Sequence, residues 1–337
     1  MASKQIKIEG RDMKQRILGK TGYQISEIGI GCWQFGGDFG PISDAQSSAT
    51  LKAAYDEQVT FYDTADVYGA GRSEKVIGQF AKGHQDMIIA TKVGRMPALY
   101  PDNYSAADVE THIRDSLARL GTDALDLVQL HCVPTDILRQ GDVFKVMDDL
   151  QEKGLIKAWG ASVETLEEAD LCLAQKGCAS LQIIFNLYRQ DAVWSLFDKA
   201  IDKNVGIIVR LPLASGILTG KFSADHQFDE SDHRNFNRDG AHFSVGETFS
   251  GIEQAKAVAL LEEITPFVPE GWSLADFALR WILDHKAVSS VIAGCSHPDQ
   301  IKSNVRASSL PSLSAETHDA LAHIYKEKIR HLIRCPI

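Results

Sequence analysis

Four residues of types that move protons stand where short apolar runs stop or in the loop just after one. Val59 to Tyr62 runs into Asp63, and Tyr68 follows five positions later. Met87 to Thr91 stops at Lys92, and Leu125 to Leu130 stops at His131. A free tyrosine titrates near 10, too high to deliver and recover a proton easily near neutrality. An ammonium beside it favours the tyrosinate, so Lys92 close to Tyr68 would lower that value. Asp63 would hold Lys92 charged and in place, and His131 is suited to hydrogen-bonding a carbonyl oxygen. Each residue also has a plainer reading: Asp63 and Lys92 as a structural ion pair, Tyr68 as a loop anchor, His131 as a core histidine. What favours chemistry is that three successive strands end this way, because in a parallel barrel the carboxyl ends of the strands carry the reacting groups.

The elements that must position these residues alternate regularly. Strands are expected at 28–31, 59–62, 87–91, 125–130, 158–162, 181–185, 206–210 and 288–293. Helices are expected after Asp44 as N-cap and over 73–81, 106–120, 143–153, 166–175 and 192–203, with another near 300–307. The strands are continuous apolar runs, as parallel strands covered on both faces should be. A doubly wound sheet should carry G-x-G-x-x-G after its first strand. Gly29-Ile30-Gly31-Cys32-Trp33-Gln34 fails at the sixth position, as does Gly69-Ala70-Gly71-Arg72-Ser73-Glu74. Eight strand–helix units predict a (β/α)8 TIM barrel. Arg16 to Ile25 reads as a small β-hairpin capping one end. Two interruptions follow strand seven: a long loop, Phe222 to Gly251, and extra helices over 255–264 and 274–283. A loop that long in a compact domain is usually functional or mobile.

Length and charge agree with one domain. The chain has 337 residues, 44% of them hydrophobic, and α/β barrels of such length form single domains. Ile8-Glu9-Gly10-Arg11 resembles a protease cleavage site joined to a tag, so residues 1–12 read as a tag or linker and 13–337 as the barrel. Thirty-five basic against forty-five acidic residues give a net charge of −10, which opposes nonspecific nucleic-acid binding. No apolar run of about eighteen residues and no secretory signal is visible, so no membrane segment is expected. Six scattered cysteines without C-x-x-C pairing suit free thiols in a cytoplasmic protein. No His/Cys cluster has metal-ligand spacing, and H-E-x-x-H is absent, so no metal is expected.

The ordered series Asp63-Thr64-Ala65 with Tyr68-Gly69, then Thr91-Lys92, then Leu130-His131, resembles the aldo-keto reductases from about Ile17 to Asn304. The resemblance implies reduction of an aldehyde or ketone with a nicotinamide cofactor, NADPH preferred and NADH possible, or the reverse on the corresponding alcohol. It implies catalytic roles for Asp63, Tyr68, Lys92 and His131. It also implies a cofactor site that starts with Cys32, Trp33 and Asp63. Ser162 and Gln182 match the family's carboxamide partners, although Val163 replaces the expected Asn. The stretch Pro212 to Lys221 resembles the loop over the pyrophosphate, with Leu213, Ser215, Gly216, Leu218 and Lys221 as contacts and Leu211 just before it; small residues there permit close backbone approach. Gly294, Ser296, Gln300 and Asn304 resemble the adenosine-binding stretch, where many relatives carry Arg at the position of Ser296. His297, Lys302 and Arg306 stand by for a 2′-phosphate. Arg210 departs most, since strand seven there usually ends in an aromatic that stacks on the nicotinamide. Its planar guanidinium could take over that stacking, or turn away to pair with an acid in the wall. Trp33, Phe35 and the segment from Arg234 to Phe243 are expected to shape the substrate pocket. Two rival functions remain: a Schiff-base lyase with Lys92 as nucleophile, and a non-catalytic, cofactor-sensing subunit of the same fold.

Overall fold

Eight parallel strands close on themselves, and a short antiparallel hairpin lies against one end. The computed structural model describes residues 13–84 and 86–337, so the tag expected at 1–12 lies outside the described residues. The hairpin is β1 (Gln15–Ile17) and β2 (Gln24–Ser26). The barrel strands are β3 (Ile28–Gly31), β4 (Phe61–Asp63), β5 (Ile88–Val93), β6 (Leu127–His131), β7 (Trp159–Ser162), β8 (Cys178–Ile184), β9 (Gly206–Arg210) and β10 (Val288–Gly294), and β10 pairs with β3 to close the ring. Around it run α1 (Asp44–Asp56), α2 (Arg72–Ala81), α3 (Ala106–Leu120), α4 (Thr135–Gln140), α5 (Asp142–Glu152), α6 (Leu166–Leu173), α7 (Ala192–Ser195) and α8 (Phe197–Asp202). After β9 come α9 (His233–Phe236), α10 (Gln254–Ala259), α11 (Leu261–Ile264) and α12 (Leu274–Leu283); after β10 come α13 (Pro298–Ser309) and α14 (Ala315–Ile324).

The strands are buried nearly throughout, which is why their sequences are apolar without alternation. The hairpin seals the amino end of the ring. Leu18 and Ile25 pack there on Phe61, Ala90, Leu127, Ile208 and Ile292. Gly19 makes this approach possible, since a Cβ on it would meet the Gly206 amide at 2.4 Å. Polar residues gather at the opposite end. Register places them in steps around the ring: Asp63 pairs with Ala90, Lys92 with Gln129, His131 with Ser162, and Ser162 with Gln182.

The expected alternation is present, with physical departures at its edges. The helix foreseen over 192–203 breaks at Leu196, and that over 255–264 at Leu260. α1 is capped by Ser43, whose hydroxyl accepts from the Gln46 amide, and Asp44 is its first residue. α4 and α14 were not foreseen. α4 is short and opens after Pro134, while α14 follows the connection 310–314, which ends at its Ser314 cap. The long segment 222–251 is not featureless. It holds α9 and two 3-10 turns, Val245–Glu247 and Phe249–Gly251, and it covers the mouth of the barrel.

Candidate active site

Asp63 closes β4 at the floor of a cavity of about 440 Å³. Lys92, on the neighbouring strand, sends its ammonium to it: Nζ lies 2.5 Å from Asp63 Oδ1, donates to the Thr64 carbonyl at 2.8 Å, and reaches the Tyr68 hydroxyl at 3.3 Å. The other carboxylate oxygen of Asp63 accepts from Gln182 Nε2 at 2.7 Å and from Gln129 Nε2 at 3.1 Å. Both charges are about 98–99% buried, yet each is saturated, which is the condition for a buried pair to persist. Tyr68 stacks on Trp33 and meets the His131 ring edge-on, each at 5.8 Å between centroids. The four residues expected to act together do meet, and Asp63, Tyr68 and His131 line the cavity.

Their electrostatics differ from expectation in one respect. Tyr68 is held well above the ordinary tyrosine range, first by burial and then by the Asp63 and Glu247 carboxylates. The expected lowering by Lys92 does not prevail, because burial and the two carboxylates outweigh it. The hydroxyl therefore stays protonated, as a proton donor must. His131 is pushed well below the usual histidine range by burial and by Arg95, Lys92 and Arg210. It is a neutral imidazole, and its Nδ1 has no protein partner.

Lys92 is not an available nucleophile. Its three donors are taken and it lies 1% exposed, which removes the basis for the Schiff-base reading.

Arg210 ends β9 within a buried ionic network. Its Nη2 donates to the Val163 carbonyl at 3.1 Å, and Nη1 stands 3.5 Å from Glu247 Oε1. Arg95 donates to the same Glu247 at 2.9 Å and lies 3.5 Å from Glu164. Burial works to raise the Glu247 carboxyl, but Arg95 and Arg210 outweigh it and hold it low. Glu164 goes the other way, raised by burial and by the Glu247 charge. Cys132, Glu164 and Glu247 are close enough to share a cation. Arg95 and Arg210 already neutralise the Glu247 carboxylate, and burial raises the Cys132 thiol and the Glu164 carboxyl, so the arrangement fits an ionic network rather than a metal.

The cavity extends from this floor toward α13, along the stretch where a dinucleotide was expected. Trp33, Asp63, Ser162, Gln182, Arg210, Leu211, Leu213, Ser215, Gly216, Lys221, Gly294, Ser296, Gln300 and Asn304 all line it. Two expected contacts do not. Cys32 and Leu218 are fully buried core residues. Phe35 likewise packs into the core rather than the pocket wall. The loop after β9 takes positive φ at Leu211, Ala214, Ser215 and Gly216. The Ala214 and Gly216 amides donate to the Leu211 and Leu213 carbonyls, which folds the loop tightly and lets its backbone come close to the cavity. A Cβ on Gly294 would meet Gln34 Nε2 at 2.0 Å, so a larger residue there would displace the Gln34 side chain that lines the cavity. These features fit a nicotinamide dinucleotide laid along the cavity.

Some side chains foreseen for the cofactor are engaged elsewhere. The Ser215 hydroxyl accepts from the Phe249 amide and donates to the Glu247 carbonyl, tying this loop to the lid. Arg306 turns to Asp276 at 3.2 Å and the Gly271 carbonyl, so it is not free for a phosphate. Gln300 Oε1 accepts from the Ser296 and His297 amides, closing the N-terminus of α13.

Sequence reasoning missed Glu247, Arg95 and Glu164, which lie in loops with no periodicity and far apart in the chain. It also missed Phe39, Phe222 and Gln34, which line the cavity. Arg234, in the segment expected to shape the pocket, lines the cavity with Lys221 and packs its guanidinium 4.3 Å from the centre of the Phe228 ring.

Comparison with known proteins agrees with this geometry. The Aldo/keto reductase family model matches residues 27–326. The chain is 30% identical over 297 residues to the aldo-keto reductase YhdN of Bacillus subtilis (strain 168), covering 86% of this chain and 87% of that one. It is 28% identical to a probable voltage-gated potassium channel subunit beta of Oryza sativa subsp. japonica, covering 94% and 98%. Among solved structures, the holo form of aldo-keto reductase AKR11C1 from Bacillus halodurans superposes with a TM-score of 0.75 at 25% identity, covering 93% of this chain and 96% of that one. A family match that spans the barrel from its first strand to its last helix, with a relative 30% identical over most of both chains, means that the chain belongs to the Aldo/keto reductase family.

Proposed function

We propose that this protein is an oxidoreductase that transfers a hydride between NADP(H) and an aldehyde or ketone, or the corresponding alcohol. The observation that carries this reading is the buried relay of Asp63, Lys92 and Tyr68, which opens into the cavity beside a neutral His131. When bound, the nicotinamide supplies or accepts the hydride. The chain's own residues do the rest. His131 hydrogen-bonds the carbonyl oxygen and fixes its direction. Tyr68 gives its hydroxyl proton to that oxygen as the oxygen takes up negative charge. Lys92, 3.3 Å away, stabilises the tyrosinate left behind, and Asp63 keeps Lys92 charged and aimed. The tyrosinate then recovers a proton from solvent, and in the alcohol-oxidising direction each step reverses.

The cofactor would lie under the loop from Leu211 to Lys221, with Lys221 and Arg234 toward its phosphates and Ser296, Gln300 and Asn304 at its adenosine end. Arg210 would meet the nicotinamide face. Among the described residues no helix is long and apolar enough to cross a membrane. Six free cysteines support placement in a reducing compartment such as the cytoplasm.

The test is cofactor consumption across a panel of aldehydes and ketones with NADPH and NADH. Turnover on members of the panel supports the reading. Tight NADPH binding with no turnover on any of them would instead favour a cofactor-sensing subunit, the description that the rice relative carries.

A further inference from the structure

The loop that carries Tyr68 holds a second buried acid. Asp66 is 1% exposed, and neither of its carboxylate oxygens has a hydrogen-bond partner. A buried, unpaired carboxylate is costly. Among the described residues, its salt-bridge partner is His112 of α3, whose Nδ1 stands 3.5 Å from Asp66 Oδ2. That is an ion-pair distance rather than a full hydrogen bond, and it stabilises Asp66 only when His112 is charged.

The pair sits behind the relay rather than in it. The Asp66 amide donates to the Lys92 carbonyl at 3.3 Å, and the Tyr68 amide to the Ala65 carbonyl at 3.3 Å. Asp66 thus bonds the Lys92 backbone directly and lies inside the turn that the Ala65–Tyr68 hydrogen bond closes. We propose that His112, as imidazolium, is a positioning residue: it compensates the buried Asp66 carboxylate and so holds the catalytic loop in the geometry that aims Tyr68.

The surroundings support a charged His112. Asp66 and, on its own helix, Asp115 favour the imidazolium, while burial and Arg119 oppose it. Arg119 is committed to Glu74 of α2 at 2.5 Å, which mutes its effect. On the face toward α5, Lys153 is spent on Glu110. The net direction is a histidine held above its ordinary value. With the folded value raised, the stabilisation is fully present at low pH and is lost as pH rises through the folded value. Turnover should therefore fall on the alkaline side of the ordinary histidine range, before the Tyr68 hydroxyl itself titrates.

This inference rests on the reductase reading, and two measurements separate their failures. The first is the pH profile of kcat for NADPH-dependent reduction of an aromatic aldehyde by wild type, His112→Ala, Asp66→Asn and the double variant. Wild type should lose activity along an alkaline limb that Asp66→Asn lacks. His112→Ala should be slow at every pH, by roughly tenfold or more toward the ~10²-fold that a misplaced group can cost, with NADPH affinity retained. The double variant should recover much of that loss, because Asn needs no cation. The second measurement is the NMR titration of the His112 ring, which should return toward the ordinary histidine value in Asp66→Asn. A wild-type profile in His112→Ala, a persistent limb in Asp66→Asn, or no recovery in the double variant would overturn the proposal. If wild type reduced no carbonyl, the reductase reading would fail by itself. An unshifted His112 titration in Asp66→Asn would then overturn the pair independently.

Discussion

Arg210 faces Glu247 across the mouth of the barrel, its Nη1 3.5 Å from the Glu247 carboxylate. The residue that stands where an aromatic was expected is thus part of a charge-compensated wall that also borders the cavity. The oxidised nicotinamide is cationic and the reduced form neutral, so the state of this pair should tune their relative affinities. Like charges about 4 Å apart interact by roughly 1–4 kcal/mol before screening, and Glu247 offsets part of that. Glu247→Gln should unmask the guanidinium and weaken oxidised cofactor more than reduced. Arg210→Tyr should do the reverse, mainly by tightening the oxidised form. Fluorescence titration of both forms checks this. Ratios unchanged in both variants would mean that Arg210 does not meet the nicotinamide.

Lys92 and Asp63 bear on stability as well as on chemistry. Lys92→Met leaves the Asp63 carboxylate buried without its cation, and breaking such a pair costs about 3–5 kcal/mol. Gln129 and Gln182 still donate to Asp63, which favours the lower end. The urea midpoint should fall accordingly without a change in slope. An unchanged midpoint would show that the pair does not support the fold.

Much of this site was legible because strands announce themselves. An apolar run that stops at Asp63, Lys92 or His131 states both the strand and the position of the side chain at its end. Register in a closed barrel then brings the ends together, so local pattern was enough. The wall of the cavity was not legible in this way. Glu247 lies in a turn of the long lid, Arg95 after β5 and Glu164 after β7, and only the fold places them in contact. His112 reads as one more polar residue of an amphipathic helix. Cys32 and Leu218 were misplaced because adjacency to a loop motif does not say which side chains turn inward.

Glu164 should make the fold less stable as pH rises. Burial and the Glu247 charge raise its folded-state value above the ordinary carboxyl value of about 4.3. Between those two values the folded protein holds a proton that the unfolded chain has released, so stability declines with increasing pH across that window. Glu164→Gln removes the penalty. Its unfolding midpoint should exceed that of wild type at neutral pH, and the two should converge in acid. Equal midpoints at neutral pH would count against a protonated Glu164.

NADPH should bind more tightly than NADH, with the Ser296 side chain toward the 2′-phosphate and Lys302 on the same helix available to it. Charged contacts weaken with ionic strength. Added salt should therefore reduce NADPH affinity more than NADH affinity in isothermal titrations. Equal dissociation constants for the two cofactors would contradict this assignment.

The account depends most on Tyr68 as the proton donor. The direct measurement mixes enzyme already loaded with NADPH against an aromatic aldehyde and follows the loss of reduced-nicotinamide absorbance in a single turnover. General acid catalysis typically contributes ~10²–10⁴-fold. Tyr68→Phe should slow the decay by that factor while its NADPH dissociation constant stays near that of wild type. A variant that decayed within about threefold of wild type, far inside the lower limit of that range, would show that the proton comes from elsewhere.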